Sequence, residues 1–153
     1  MIKNLKKRLK DQRGLTLVEL LAVIVILGII SAIAIPSIGG IIQKSKEDAL
    51  KSDAIAVLNA AKMHISSTNL SPDVDGEKTI TMNETILTDY VDSKHFTGKA
   101  KFNVVYNIDD KSYKLTTTSP ARVDLGKTKI GFKNATLDDI NDDKKKGTRD
   151  IGN

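Results

Sequence analysis

From Leu15 to Ile35 the chain is apolar for 21 residues, interrupted only by Thr16, Glu19 and Ser31. A helix of that length spans roughly 30 Å, the thickness of a bilayer's hydrocarbon. It is too uniformly apolar to be one face of a soluble helix. After Ile41 the spacing changes. Leu50, Ala54, Val57, Leu58, Ala61 and Ile65 recur at a 3.6-residue period, with Lys44, Lys46, Glu47, Asp48, Lys51, Asp53 and Lys62 on other faces. The pattern predicts a stalk whose first half is apolar all round and whose second half packs one stripe under a sheet. Gly28, Pro36, Gly39 and Gly40 weaken a helix: an interior Pro costs about 3 kcal/mol and a Gly about 1 kcal/mol relative to Ala. One reading ends the helix there in a loop, Ser37–Gly40. The other keeps one long helix, kinked or locally melted, and the apolar period resuming after Gly40 favours it.

The remainder is polar and punctuated. Residues 66–72 and Asp75-Gly76 mark a loop. Asn83 is placed to cap a short helix, Glu84–Val91, with Ile86, Leu87 and Tyr90 inward. Phe102, Val104 and Tyr106 alternate with polar residues in Lys101–Asn107, apart from Val105. Tyr113 and Leu115 alternate in Ser112–Thr118, and residues 108–111 join the two runs as a hairpin. A third strand is expected at Lys127–Lys133, with Ile130 and Phe132 at opposite or bulged positions. Residues 138–153 mix five Asp, three Lys and one Arg with two Gly and read as a mobile end. The expected fold is α+β: a long N-terminal helix packed on a small antiparallel β-sheet head. The chain divides into a basic segment 1–14, an apolar helix 15–35, an amphipathic continuation 36–66, a head 67–137 and a tail 138–153.

Charge sharpens the division. Residues 1–14 carry Lys3, Lys6, Lys7, Arg8, Lys10 and Arg13 against Asp11, which accounts for the whole net charge of +5; the other 139 residues balance 18 bases with 18 acids. By the positive-inside tendency the N-terminus stays cytoplasmic and the C-terminal part crosses the membrane. The 153 residues are too few for a multi-domain enzyme, and the absence of Cys excludes disulfides, thiolate metal sites and thiol nucleophiles. All six aromatic residues follow residue 89, so any globular core lies in the C-terminal part. An uncut signal anchor fits the apolar run. So does a secretory signal cut at Ala32-Ile33-Ala34. Neither has a use for Glu19, a carboxylate costing about 2.5–3.5 kcal/mol at mid-bilayer and less near the interface.

The run Arg13-Gly14-Leu15-Thr16-Leu17-Val18-Glu19-Leu20-Leu21 resembles the processing motif of type IV pilins and pseudopilins. The resemblance covers about residues 8–60. It implies a prepilin leader cut at Gly14↓Leu15 on the cytoplasmic side, with the apolar helix retained. The family's usual first mature residue is Phe, so Leu15 departs from it while remaining the expected N-methylation site. Gly28 and Pro36 fall where many such pilins carry a helix-weakening Gly and Pro. Cutting creates an α-amine that is largely cationic at neutral pH. Glu19 lies four residues on, roughly 6 Å along the axis. The resemblance implies that Glu19 pairs with the amine of a neighbouring subunit and sets register in a helical homo-oligomer, an extracellular pilus or pseudopilus. The implied partners are a prepilin peptidase, an assembly ATPase and a platform protein, with the membrane holding the subunit before assembly.

No chemistry of catalysis stands out. His64 and His95 lack clustered ligands and read as surface or interface residues. Asp109-Asp110, Asp138-Asp139 and Asp142-Asp143 read as solvated turns rather than Ca²⁺ sites. Lys144-Lys145-Lys146 is flanked by aspartates that cancel most of its pull on DNA. The expectation is a structural subunit with no catalytic residue, metal or cofactor. A major pilin for adhesion, motility or DNA uptake is the first reading, since no secretion-type calcium loop is evident. A competence or type II secretion pseudopilin is the alternative, and a membrane-anchored or secreted binding protein is the rival from another class.

Overall fold

The computed structural model describes residues 2–68, 78–93, 95–96 and 100–152, with side chains described from Thr16 onward. Helix α1 runs without interruption over Ile2–Thr68, through Gly28, Pro36, Gly39 and Gly40. No helix end therefore lies at Ser37–Gly40, and the helix is continuous there. The chain forms two compact units, residues 1–42 and 43–153.

The second unit is built on the amphipathic half of α1. Leu50, Ala54, Val57, Leu58 and Ala61 are buried, and Ile65 packs against them. That stripe is the one the spacing predicts. Strand β1 (Thr79–Asn83) pairs with β2 (Lys101–Asn107), which pairs with β3 (Ser112–Ser119), giving an antiparallel sheet in the order β1-β2-β3. Phe102 and Val104 are buried on one face of β2 while Val105 is half-buried on the other, so Val105 does not break the alternation. Asn83 caps α2 (Glu84–Leu87), its side-chain oxygen accepting the Ile86 N–H at 3.1 Å. Leu87 is buried, but Ile86 and Tyr90 remain 40% and 36% exposed. The helix is thus shorter than Glu84–Val91 and has a narrower buried face.

A second sheet follows. Strand β4 (Val123–Asp124) runs antiparallel to β5 (Lys129–Lys133), and β5 runs parallel to β6 (Arg149–Gly152). The expected third strand therefore exists as β5 but belongs to this sheet; β1 completes the antiparallel sheet instead. Ile130 and Phe132 are both buried, on the same face as strand periodicity demands. Thr117 ties the sheets: its hydroxyl is hydrogen-bonded to the Phe132 N–H at 3.0 Å. The aromatic core is Phe96 edge-on to Phe102, ring centroids 5.4 Å apart, with Phe132 at 6.0 Å from Phe96.

The C-terminal residues are not a mobile end. Helix α3 (Leu137–Asp142) begins with a capping box, Thr136 receiving the Asp139 N–H while Asp139 accepts the Thr136 N–H. Ile140 and Ile151 are buried, and β6 is the edge strand of its sheet.

Candidate functional site

The first unit presents the chain's most unusual surface. Sixteen large aliphatic side chains from Leu17 to Ile42 are each 50–72% exposed. Fully burying one such side chain is worth about 1.5–3 kcal/mol, so sixteen in water are untenable. The helix is long and apolar enough to cross a membrane. Glu19 is exposed among Leu17, Val18, Leu20 and Leu21. A Cβ added at Gly28 or Gly40 would meet nothing within 4 Å, so neither glycine is needed for room within this chain. Gly14 and Leu15 lie within the span of α1, but their side chains lie outside the described residues. The backbone therefore places Glu19 one helical turn beyond Leu15, as the spacing requires.

The second unit holds three polar arrangements that the sequence did not disclose. Glu47 and Lys51, one turn apart on α1, meet the C-terminal segment. Arg149 binds Glu47 at 3.1 Å and Asp143 at 2.6 Å, and Lys51 binds Asp143 at 2.9 Å. The Asp143 and Arg149 side chains are only 6% and 8% exposed. Burial works against the charge on both. The hydrogen bonds between them, with Lys51 and Glu47 adding theirs, prevail, holding the Asp143 carboxyl below the usual range and the Arg149 guanidinium above its own.

Next, Asp53 gathers the loop before Phe96. Its Oδ2 is 2.7 Å from the Ser93 hydroxyl and 2.7 Å from His95 Nδ1. Burial opposes the charge on Asp53, but these bonds outweigh it and hold its carboxyl low. Asp53 thus clamps the loop at Ser93 and His95. His64 meets Tyr90 edge-on at 5.3 Å. The two histidines are therefore held in place by side chains of the head, not free on its surface.

Each acidic pair has at least one member engaged. Asp109 binds Lys78, Asp110 accepts the Ser112 N–H, Asp139 caps α3 and Asp143 joins Arg149. Among the described residues no group of three metal-binding side chains converges. The T-x-x-D signature of Thr136 and Asp139 was legible in sequence; the Arg149 and His95 contacts, 102 and 42 residues distant, carried no local signal.

Residues 9–35 match the family model described as the prokaryotic N-terminal methylation motif. The chain is 32% identical over 69 residues to type II secretion system core protein G of Vibrio cholerae, covering 45% of this chain and 47% of that protein. Both findings support the type IV pilin and pseudopilin family for the N-terminal part of the chain. Core protein G of Aeromonas hydrophila is 36% identical over 63 residues, covering 41% of this chain and 44% of the relative. That of Escherichia coli is 38% identical over 53 residues, covering 35% and 37%. The matches thus span less than half the length of these relatives. No solved structure matches the chain. As expected of a pilin-like fold, a long helix packs on a small antiparallel sheet, and the apolar part of the helix is long enough to cross a membrane.

Proposed function

We propose that this chain is a pseudopilin, cut between Gly14 and Leu15, that polymerises through residues 15–42 into a secretion-type filament. The observation carrying the reading is the processing motif set directly before a helix exposed on every apolar side. Such a surface needs lipid before assembly and identical helices after it. The relatives' shared description as a secretion-system core protein favours a pseudopilin over the major pilin expected from sequence. In this reading Glu19 is the assembly residue. Left unpaired in an apolar phase it is costly, and the new amine of Leu15 on a neighbouring subunit is the cation that relieves the cost. Pro36, Gly39 and Gly40, with Gly28, are the positions where the helix would yield when the filament bends. Prepilin peptidase, assembly ATPase and platform protein are the partners this reading requires.

Intact mass of the membrane-extracted or filament-borne polypeptide tests the cut. The expected chain starts at Leu15, with or without one added methyl. A chain that keeps residues 1–14 or starts after Ala34 overturns the proposal. Deleting the chain distinguishes the roles: loss of secreted proteins with surface fibres intact supports the pseudopilin, and the reverse supports a major pilin.

A further inference from the structure

The end of α1 that follows the apolar run is ringed by lysines. Gln43 comes directly after Ile42, and its side chain donates to Thr128 at 2.7 Å. Thr128 donates to Glu47 at 3.1 Å, and Glu47 receives Arg149. Lys46 Nζ reaches the turn at Gly126. Two segments, 124–129 and 143–149, therefore pack on residues 43–51 of α1. The Lys51, Asp143, Arg149 and Glu47 charges cancel one another, as do Lys129 and Asp124 at 3.4 Å. Outside those pairs stand Lys44, Lys46, Lys127, Lys144, Lys145 and Lys146, all exposed. Among the described residues, the acids beside these lysines outside the pairs are Asp48, Asp139 and Asp142, of which Asp139 and Asp142 line one cavity with Lys144 and Lys145. The balance is three positive charges on segments packed against the residues that directly follow Ile42 in the chain.

We infer that this lysine-rich base of the head docks on the anionic phospholipid surface of the membrane that holds the unassembled subunit. The inference rests on the membrane-anchored precursor described above. Continuity decides between lipid and a second copy of the chain: when residues 15–42 lie in a bilayer, Gln43 emerges at its headgroups, and the segments bound to Gln43 and Glu47 are carried there with it. A lysine near an anionic bilayer gains about fivefold in binding, and the gain fades within a Debye length. Docking then holds the subunit at the membrane surface and is given up when the head rises into a filament.

The full chain in lipid nanodiscs tests this by residue-resolved acylation of lysine amines. In discs of phosphatidylcholine mixed with phosphatidylglycerol, labelling at Lys127 and Lys144–Lys146 is expected to slow about threefold or more relative to pure phosphatidylcholine. At about 1 M salt, where the Debye length falls to about 3 Å, the difference disappears. Lys101 and Lys114, on the antiparallel sheet, are expected not to change. Substituting Lys144→Gln, Lys145→Gln and Lys146→Gln together is expected to restore fast labelling at Lys127. Equal labelling in the two lipids overturns the inference and leaves the anchor reading intact. Protection that is the same in both lipids and grows with the number of chains per disc assigns the surface to a second copy and overturns it too. A chain that copurifies with neither disc overturns the anchor reading itself, and this inference with it.

Discussion

Replacing Arg149 by Ala tests whether the C-terminal segment is bolted to α1. Arg149 Nε lies 3.0 and 3.1 Å from the two Asp143 oxygens, Nη2 lies 2.6 Å from Oδ2, and Nη1 reaches Glu47. This is a forked, charge-assisted contact on a side chain 8% exposed. Removing one partner of a buried pair costs about 3–5 kcal/mol, because the other charge is left without compensation. Two features pull the value to the lower end. Lys51 still neutralises Asp143, and the Glu47 side chain, 14% exposed, keeps its bond from Thr128. A loss of about 3 kcal/mol follows. With a urea slope of about 1.5 kcal/mol per molar, the midpoint falls by about 2 M. The assay is urea unfolding of the full chain in detergent micelles, followed by near-ultraviolet dichroism of Tyr90, Tyr106 and Tyr113. The chain has no Trp and every aromatic lies after residue 89, so the signal reports the head alone. Lys78→Ala is the control, since the Lys78 and Asp109 side chains are 72% and 58% exposed and water replaces the contact. Adding Glu47→Gln to Arg149→Ala is expected to cost less than the sum of the two separate changes, because they share one contact. If Arg149→Ala moves the midpoint no further than Lys78→Ala, the buried network does not hold the segment and the reasoning fails.

Acid should loosen the same head. Asp143 and Asp53 are held below the ordinary carboxylate value of 3.8, so in that range the unfolded chain binds more protons. Their contribution is present above 3.8 and is lost as pH falls through their lower folded values; Asp143→Asn should flatten that part of the stability–pH curve. Gly152→Ala is expected to cost about 1–3 kcal/mol in the urea assay, because φ there is +91° and a Cβ would run into the Lys133 carbonyl oxygen. Thr136→Ala removes the hydroxyl half of the α3 capping box, for an expected loss of about 1 kcal/mol, and Thr136→Ser should recover most of it. An unchanged midpoint in either variant would contradict the corresponding local geometry.

Legibility followed the range of the interactions. The stripe Leu50–Ile65, the hairpin of β2 and β3 and the Asn83 cap are set by neighbours within a few residues, and the sequence pattern located all three. Strand β1 offers only Ile80 and Met82 as alternating apolar positions, too few to stand out in a polar stretch of sequence. It forms because β2 supplies a partner across its whole length. The C-terminal residues failed for the opposite reason. Their composition is that of a solvated tail, but two apolar side chains, Ile140 and Ile151, and one arginine find partners made elsewhere in the chain. Charge density implies disorder only when the charges lack fixed counterparts, and here Glu47 and Lys51 provide them. The N-terminal methylation motif was legible because it is a contiguous string of residues and not a product of folding.

The position of the network explains why it is ionic. Ile42 is 52% exposed and Leu50 is fully buried, so within eight residues, about 12 Å of helix, α1 passes from an apolar surface that must be covered by something outside the chain to one covered by the chain's own core. A purely apolar junction would let the covered stripe slide along the helix, since one aliphatic row packs much like the next. Gln43, Glu47 and Lys51 prevent this. Each offers a polar group that is satisfied at one register only, by Thr128, by Arg149 and by Asp143 respectively. A slip of one turn would bring Lys51 to the position of Glu47, facing Arg149, and would leave buried charges opposed. The burial cost of these ions therefore fixes where the head begins on the helix.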